Sequence, residues 1–258
     1  MELALIVLSV AFGGAAGLLV PRPAYRLAVE ASQRWRSHCP RGHAITGWGN
    51  GWVGLGRCTA TGSPVDDGGK QPKGSPCRYG RRLVVAPAIS ALACALLTAV
   101  VGMRPESVVC MMVTPFGVLL GLIDAAVHRL PDVLTLPVAG GTVALLGIVA
   151  LLPGHHGSWA TAAGGSIVLA ALYFVMFLIN PSGMGLGDVK LALSVGALLG
   201  WYGWPTLFLG TLVAFCLAAL YGVGLMILRR ATRRSAIAFG PFMLLGALAG
   251  VAFGAWTT

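Results

Sequence analysis

Apolar residues in this chain come in long runs, not in the alternating or one-faced patterns of half-buried elements, and short polar or Gly/Pro-rich breaks separate the runs. The runs predict eight helices, at about 3–20, 83–102, 106–127, 133–152, 159–180, 189–202, 204–228 and 237–256, the sixth of them short. Most approach or exceed the ~18 residues needed to cross a hydrocarbon core roughly 30 Å thick. This is the pattern of an all-α polytopic membrane protein with about eight transmembrane helices. The first run opens on Met1-Glu2 with no basic n-region. It ends in Leu18-Leu19-Val20-Pro21-Arg22 with no small-residue cleavage site, so it reads as a retained anchor.

The spacing of the runs divides the chain into a first transmembrane helix (1–20), a polar, Gly-rich insert (21–82) and a seven-helix body (83–258). The insert has weak helical periodicity over Ala24 to Arg36, then a stretch from Gly47 to Gly80 dense in Gly, Ser, Pro and Thr that reads as loop. Trp201, Tyr202 and Trp204 bracket a tight connection between the sixth and seventh spans, the expected place of an interfacial aromatic anchor.

Composition agrees with a lipid-embedded chain: 57% of residues are hydrophobic and 10% charged. Charge adds orientation. A net charge of +10 invites a nucleic-acid reading, but the segment 21–82 alone carries eleven of the eighteen Lys and Arg. Arg129, Lys190 and the group Arg229, Arg230, Arg233 and Arg234 occupy loops on the same side of the alternating spans, leaving Arg104 opposite. Topology therefore accounts for the excess, and no nucleic-acid partner is expected. The positive-inside rule makes the basic side the cytoplasm, with both termini outside a bacterial plasma membrane.

Of eight acidic residues, Glu2, Glu30, Asp66, Asp67 and Glu106 fall in the insert or on outer ends. Asp124, Asp132 and Asp188 fall at the basic-side ends of helices in the body, where a carboxylate is costly and marks function by default. Each has a plainer reading. Asp132, in Leu130-Pro131-Asp132-Val133, suits a helix N-cap, and capping also fits Asp188. Asp124 sits amid Leu122-Ile123-Asp124-Ala125-Ala126, where capping cannot explain it, though pairing with Arg129 or Lys190 could hold two helices together. The glycines Gly183, Gly185 and Gly187 ahead of Asp188 permit close backbone approach and could present an edge to an extended peptide.

Gly185-Leu186-Gly187-Asp188-Val189-Lys190 resembles the GxGD motif of the prepilin peptidases, a branch of the GxGD membrane aspartyl proteases. Ile123-Asp124 followed by Leu130-Pro131-Asp132-Val133-Leu134-Thr135 is similar to that family's other aspartate segment, and Phe239-Gly240-Pro241-Phe242 to its motif in the last helix. The resemblance spans roughly 83–256. It implies Asp124 and Asp188 as the catalytic pair, with Asp132 accessory and Gly185, Gly187 and Lys190 supporting or binding substrate. It further implies an endopeptidase that removes a short basic leader from membrane-inserted type IV prepilins or pseudopilins at the cytoplasmic face.

The chemistry of two adjacent carboxylates agrees. In a poorly hydrated site they cannot both ionise, so one proton is shared. The ionised member can take a proton from water while the other donates to the scissile carbonyl, with no cofactor required for proteolysis.

Many members of that family carry two CxxC pairs in the insert, associated with metal binding and with N-methylation of the trimmed substrate by S-adenosylmethionine. This chain departs from that pattern, offering Cys39-Pro40-Arg41-Gly42-His43 with single Cys58 and Cys77. Cys39, His43, Cys58 and Cys77 satisfy a zinc ligand count, with His38 a rival ligand and loose reduced thiols the alternative. Cys94, Cys110 and Cys216 read as small packing residues within spans, and His155-His156 as a polar turn.

A rival function, a component of a proton-coupled transporter, predicts internal repeats and helices broken near the midplane, and neither is evident. A scaffold without chemistry leaves Asp124 unexplained.

Overall fold

The computed structural model describes residues 2–29, 33–40, 42–58, 77–78, 85–181, 183–230 and 237–257. Helix α1 (Glu2–Leu19) runs almost directly into a short α2 (Pro21–Leu27), which opens on Pro21, a residue whose fixed φ and missing N–H suit a helix start. The insert contributes a four-residue turn, α3 (Trp48–Gly51), and a two-residue antiparallel pair, β1 (Arg57–Cys58) with β2 (Cys77–Arg78). The body follows as α4 (Val85–Val101), α5 (Glu106–Val127), α6 (Asp132–Val149), α7 (Trp159–Ile179), α8 (Leu186–Trp201), α9 (Trp204–Ile227) and α10 (Gly240–Thr257).

Among the described residues six helical segments are long and apolar enough to cross a membrane: Leu3–Leu27 and helices α5, α6, α7, α9 and α10. Helix α4 is a shorter apolar helix of 17 residues, and α8 has 16. The chain is thus an all-α polytopic membrane protein. Outward faces carry large apolar side chains, among them Leu8, Leu92, Ile179, Leu220 and Ile227, as lipid contact requires.

Helix α8 is different, because buried residues occur all round it, from Asp188 and Leu191 to Leu199, Gly200 and Trp201. It is the central helix, and small residues let its neighbours approach. A Cβ on Gly200 would lie 2.5 Å from the Thr161 carbonyl and 3.1 Å from Gly165 Cα, and one on Gly196 would strike the Gly165 carbonyl. The α7–α8 contact is therefore close, backbone on backbone, the packing that lipid favours. The main core cluster draws on α4, α5, α7, α8, α9 and α10, including Leu120, Leu169, Tyr173, Leu191, Leu199, Leu207, Met243 and Val251.

The start of the insert is anchored by α2. Buried Arg22 donates through Nη1 to the Val53 carbonyl at 3.1 Å and through Nη2 to the Thr46 carbonyl at 3.0 Å. Arg26 donates to the Asn50 carbonyl at 2.9 Å, and its guanidinium lies 4.0 Å from the Trp52 ring centroid. The helix expected near Ala24 to Arg36 stops at Leu27, and much of the loop expected over 47–80 lies outside the described residues.

Two further expectations are corrected. Trp201 is only 1% exposed, a core side chain of α8 and not an interfacial anchor, whereas Trp204 is exposed. Cys94 and Cys110 are buried packing residues as expected, but Cys216 faces outward on α9.

Candidate active site

Three helix ends meet at one end of the bundle. Asp124 occupies the last turn of α5, which His128 closes in a left-handed conformation (φ 52°, ψ 39°), donating its N–H to the Asp124 carbonyl at 2.8 Å. Asp188 is in the first turn of α8, because that helix begins at Leu186, three residues earlier than its apolar run. The Asp188 N–H donates to the Gly185 carbonyl at 3.1 Å, and the Gly185 N–H donates to Asp188 Oδ2 at 3.3 Å. The third end is the start of α10, where the Gly240 N–H donates to Asp124 Oδ2 at 2.8 Å. Each carboxylate thus accepts from a backbone amide at a helix start, where the helix dipole favours negative charge.

Both side chains are buried, Asp124 at 4% exposure and Asp188 at 7%, and they lie within electrostatic reach of each other. Asp188 Oδ1 is buried without a hydrogen-bond partner among the described residues. Two glycines make the geometry attainable. A Cβ on Gly187 would come 2.8 Å from Leu130 Cβ, so the α5–α6 connection packs directly on the first turn of α8. A Cβ on Gly240 would come 2.7 Å from Asp124 Oδ2, displacing the carboxylate from its amide. At Gly185 an added Cβ would meet only ordinary contacts, so its need for glycine is not steric crowding.

Asp132 is not the N-cap its sequence position predicts. Pro131 holds that position in extended conformation, and Asp132 enters the first turn of α6 with its side chain free to reach sideways. It forms an ion pair with Lys190, linking the start of α6 to the start of α8 two residues beyond Asp188. Lys190 is thereby taken up, and no ion pair to Asp124 occurs among the described residues, which removes the helix-pairing explanation for that acid.

In the insert, Cys39 Sγ and His43 Nδ1 lie 3.5 Å apart, joined by a backbone turn in which the Cys39 N–H donates to the His43 carbonyl at 2.8 Å. Cys58 and Cys77 are backbone partners across the β1–β2 pair, but their side chains fall outside the described residues. No group of three or more metal-ligating side chains occurs among the described residues.

Resemblance singled out Phe239-Gly240-Pro241-Phe242, but with no chemistry-bearing side chain in the segment the sequence did not reveal that the Gly240 amide holds Asp124. A second missed residue is Tyr173, buried in α7 against Phe215 and Phe239, with only a hydroxyl in an apolar run to signal it.

Fold and site together define a membrane-embedded helical bundle with two buried acids within electrostatic reach of each other at one end, the class of the membrane aspartyl peptidases. The family model for the type IV leader peptidase family matches residues 111–223, a span holding both aspartates. The chain is 32% identical over 240 residues to the prepilin leader peptidase/N-methyltransferase of Aeromonas hydrophila, covering 88% of this chain and 72% of that protein. It is 33% identical over 224 residues to the protein of the same name from Aeromonas salmonicida, covering 81% and 68%. With that from Pseudomonas putida it shares 30% identity over 237 residues, covering 84% and 72%. No solved structure matches it significantly. The chain belongs to the type IV leader peptidase family, and it is a protease.

Proposed function

We propose that this protein removes the basic leader peptide from type IV prepilin or pseudopilin precursors, with Asp124 and Asp188 as the catalytic dyad. The observation that carries the reading is that these two acids, from helices remote in sequence, are both buried and lie within electrostatic reach of each other. The ionised partner activates water, and the protonated partner donates to the scissile carbonyl oxygen as the tetrahedral intermediate forms. As the C–N bond breaks, the acid that took the water's proton passes it to the leaving amine while the other recovers its own from a hydroxyl of the gem-diol intermediate, so the dyad is regenerated without a covalent intermediate. Asp132 and Lys190 hold the two helix starts in register, and Gly185 and Gly187 give the extended substrate access beside Asp188. Residues 83–258 form the peptidase body and 21–82 the insert. The end bearing the aspartates faces the cytoplasm, where an uncleaved leader still resides, and both termini lie outside.

Cys39 and His43 supply a thiol and an imidazole in contact, which fits half of a tetrahedral zinc set, and Cys58 and Cys77 are the candidates to complete it. Bound zinc would cross-link the insert; the metal content of the purified protein decides between zinc and free thiols. The relatives' names carry a methyl-transfer activity, which here would use S-adenosylmethionine on the trimmed N-terminus.

The test is incubation of membranes with a precursor bearing a basic leader before a hydrophobic helix, followed by mass determination of the product. The mass reports cleavage and methylation together. Asp124→Asn and Asp188→Asn, each expressed at normal level, abolish cleavage; near-normal cleavage by either removes that residue from the dyad.

A further inference from the structure

The dyad has an unfilled polar requirement and the structure offers one group to fill it. Asp188 Oδ1 is buried with no hydrogen-bond donor among the described residues, a position that is costly if left unmet. Helices α7 and α8 run antiparallel with Thr161 against Gly200 and Gly165 against Gly196. Continuing that register by two turns brings Tyr173 level with the first turns of α8, and its hydroxyl lies within electrostatic reach of the Asp188 carboxylate. The Tyr173 side chain is 1% exposed, inside the bundle.

The ring of Tyr173 is held by two others. Its centroid lies 5.7 Å from that of Phe215 in a stacked arrangement and 5.8 Å from that of Phe239, while Phe215 and Phe239 are 5.1 Å apart. Phe239 immediately precedes Gly240, whose N–H holds Asp124. The aromatic trio therefore adjoins the mounting of one acid while its hydroxyl lies within electrostatic reach of the other. Such rings are locked by packing and lose little on ordering a hydroxyl.

We propose that Tyr173 is a positioning residue of the dyad, its hydroxyl donating through one bridging water to Asp188 Oδ1 and fixing that water between the two acids. The bridging water is the one the dyad activates, and the tyrosine keeps its own proton throughout. This rests on the peptidase reading above.

Steady-state cleavage of a detergent-solubilised precursor by wild type, Tyr173→Phe and Tyr173→Leu tests it. Tyr173→Phe retains the ring packing and is expected to keep the wild-type melting temperature and a KM within about twofold, while kcat falls about tenfold or more. Tyr173→Leu, which empties the aromatic contact, loses both stability and activity. An active wild type with an equally active Tyr173→Phe overturns the role of the hydroxyl, and so does a Tyr173→Phe loss confined to KM. A correctly folded wild type that cleaves no leader-bearing precursor instead overturns the peptidase reading, and the tyrosine's role falls with it.

Discussion

Gly240 illustrates how little room the site leaves at single residues. Its amide donates to Asp124 Oδ2, and the space a methyl group would need is already filled by that carboxylate. Gly240→Ala should leave the bundle folded, because the rest of α10 packs through Met243, Ala247 and Val251 away from the site. Cleavage by this variant should fall about tenfold to a hundredfold, since a displacement of about 1 Å in a catalytic group has effects of that size. Normal cleavage rates by Gly240→Ala would show that Asp124 does not depend on this amide. The same scale exposes a residue without an assigned partner: Glu106, 1% exposed at the start of α5, has both carboxylate oxygens unpartnered among the described residues.

Between elements, the Asp132–Lys190 pair joins two helix starts that also meet through Leu130 and Gly187. The pair is partly solvated, with Asp132 60% exposed, so its contribution to stability is screened and should be below about 1 kcal/mol. Packing of Leu130 on Gly187 carries the greater share of the contact. Asp132→Asn should therefore lower the melting temperature little and reduce cleavage only in part, unlike either dyad substitution. Complete loss of cleavage in a stable Asp132→Asn protein would place Asp132 in direct contact with the reaction. The helix boundaries were largely legible in the apolar runs, because lipid demands uninterrupted apolar segments. The start of α8 was not, because Leu186, Gly187 and Asp188 are drawn into helix by reciprocal bonds with Gly185 that an apolar count does not register.

For the molecule as a whole, charge and site coincide. Arg22 and Arg26 on α2, Arg129 after α5 and Lys190 in α8 share the end that bears the aspartates, whereas Arg104 donates to the Ala255 carbonyl near the finish of α10 at the other end. A membrane-impermeant maleimide should label His156→Cys in intact cells, in a background with the native cysteines replaced, and should reach Arg129→Cys only after permeabilisation. Labelling of Arg129→Cys from outside would invert the orientation and place the dyad away from the cytoplasm. The exposed apolar belt, including Leu92, Ile179 and Ile227, requires a bilayer in either orientation.

Hydrophobic run length and the placement of acids were decided by the sequence alone: eight apolar stretches, a basic insert, and three acids at the basic-side helix ends, of which Asp124 was the one capping could not explain. These properties are local, since each residue either tolerates lipid or does not. What only tertiary structure decided is who meets whom. Asp132 turned from a cap into the partner of Lys190, Trp201 from a surface anchor into core, and Gly240 and Tyr173 into neighbours of the acids. Those relations join residues as far apart as Asp124 and Gly240. They arise because close packing around the buried α8 sets each side chain's surroundings, and no periodicity along the chain encodes that.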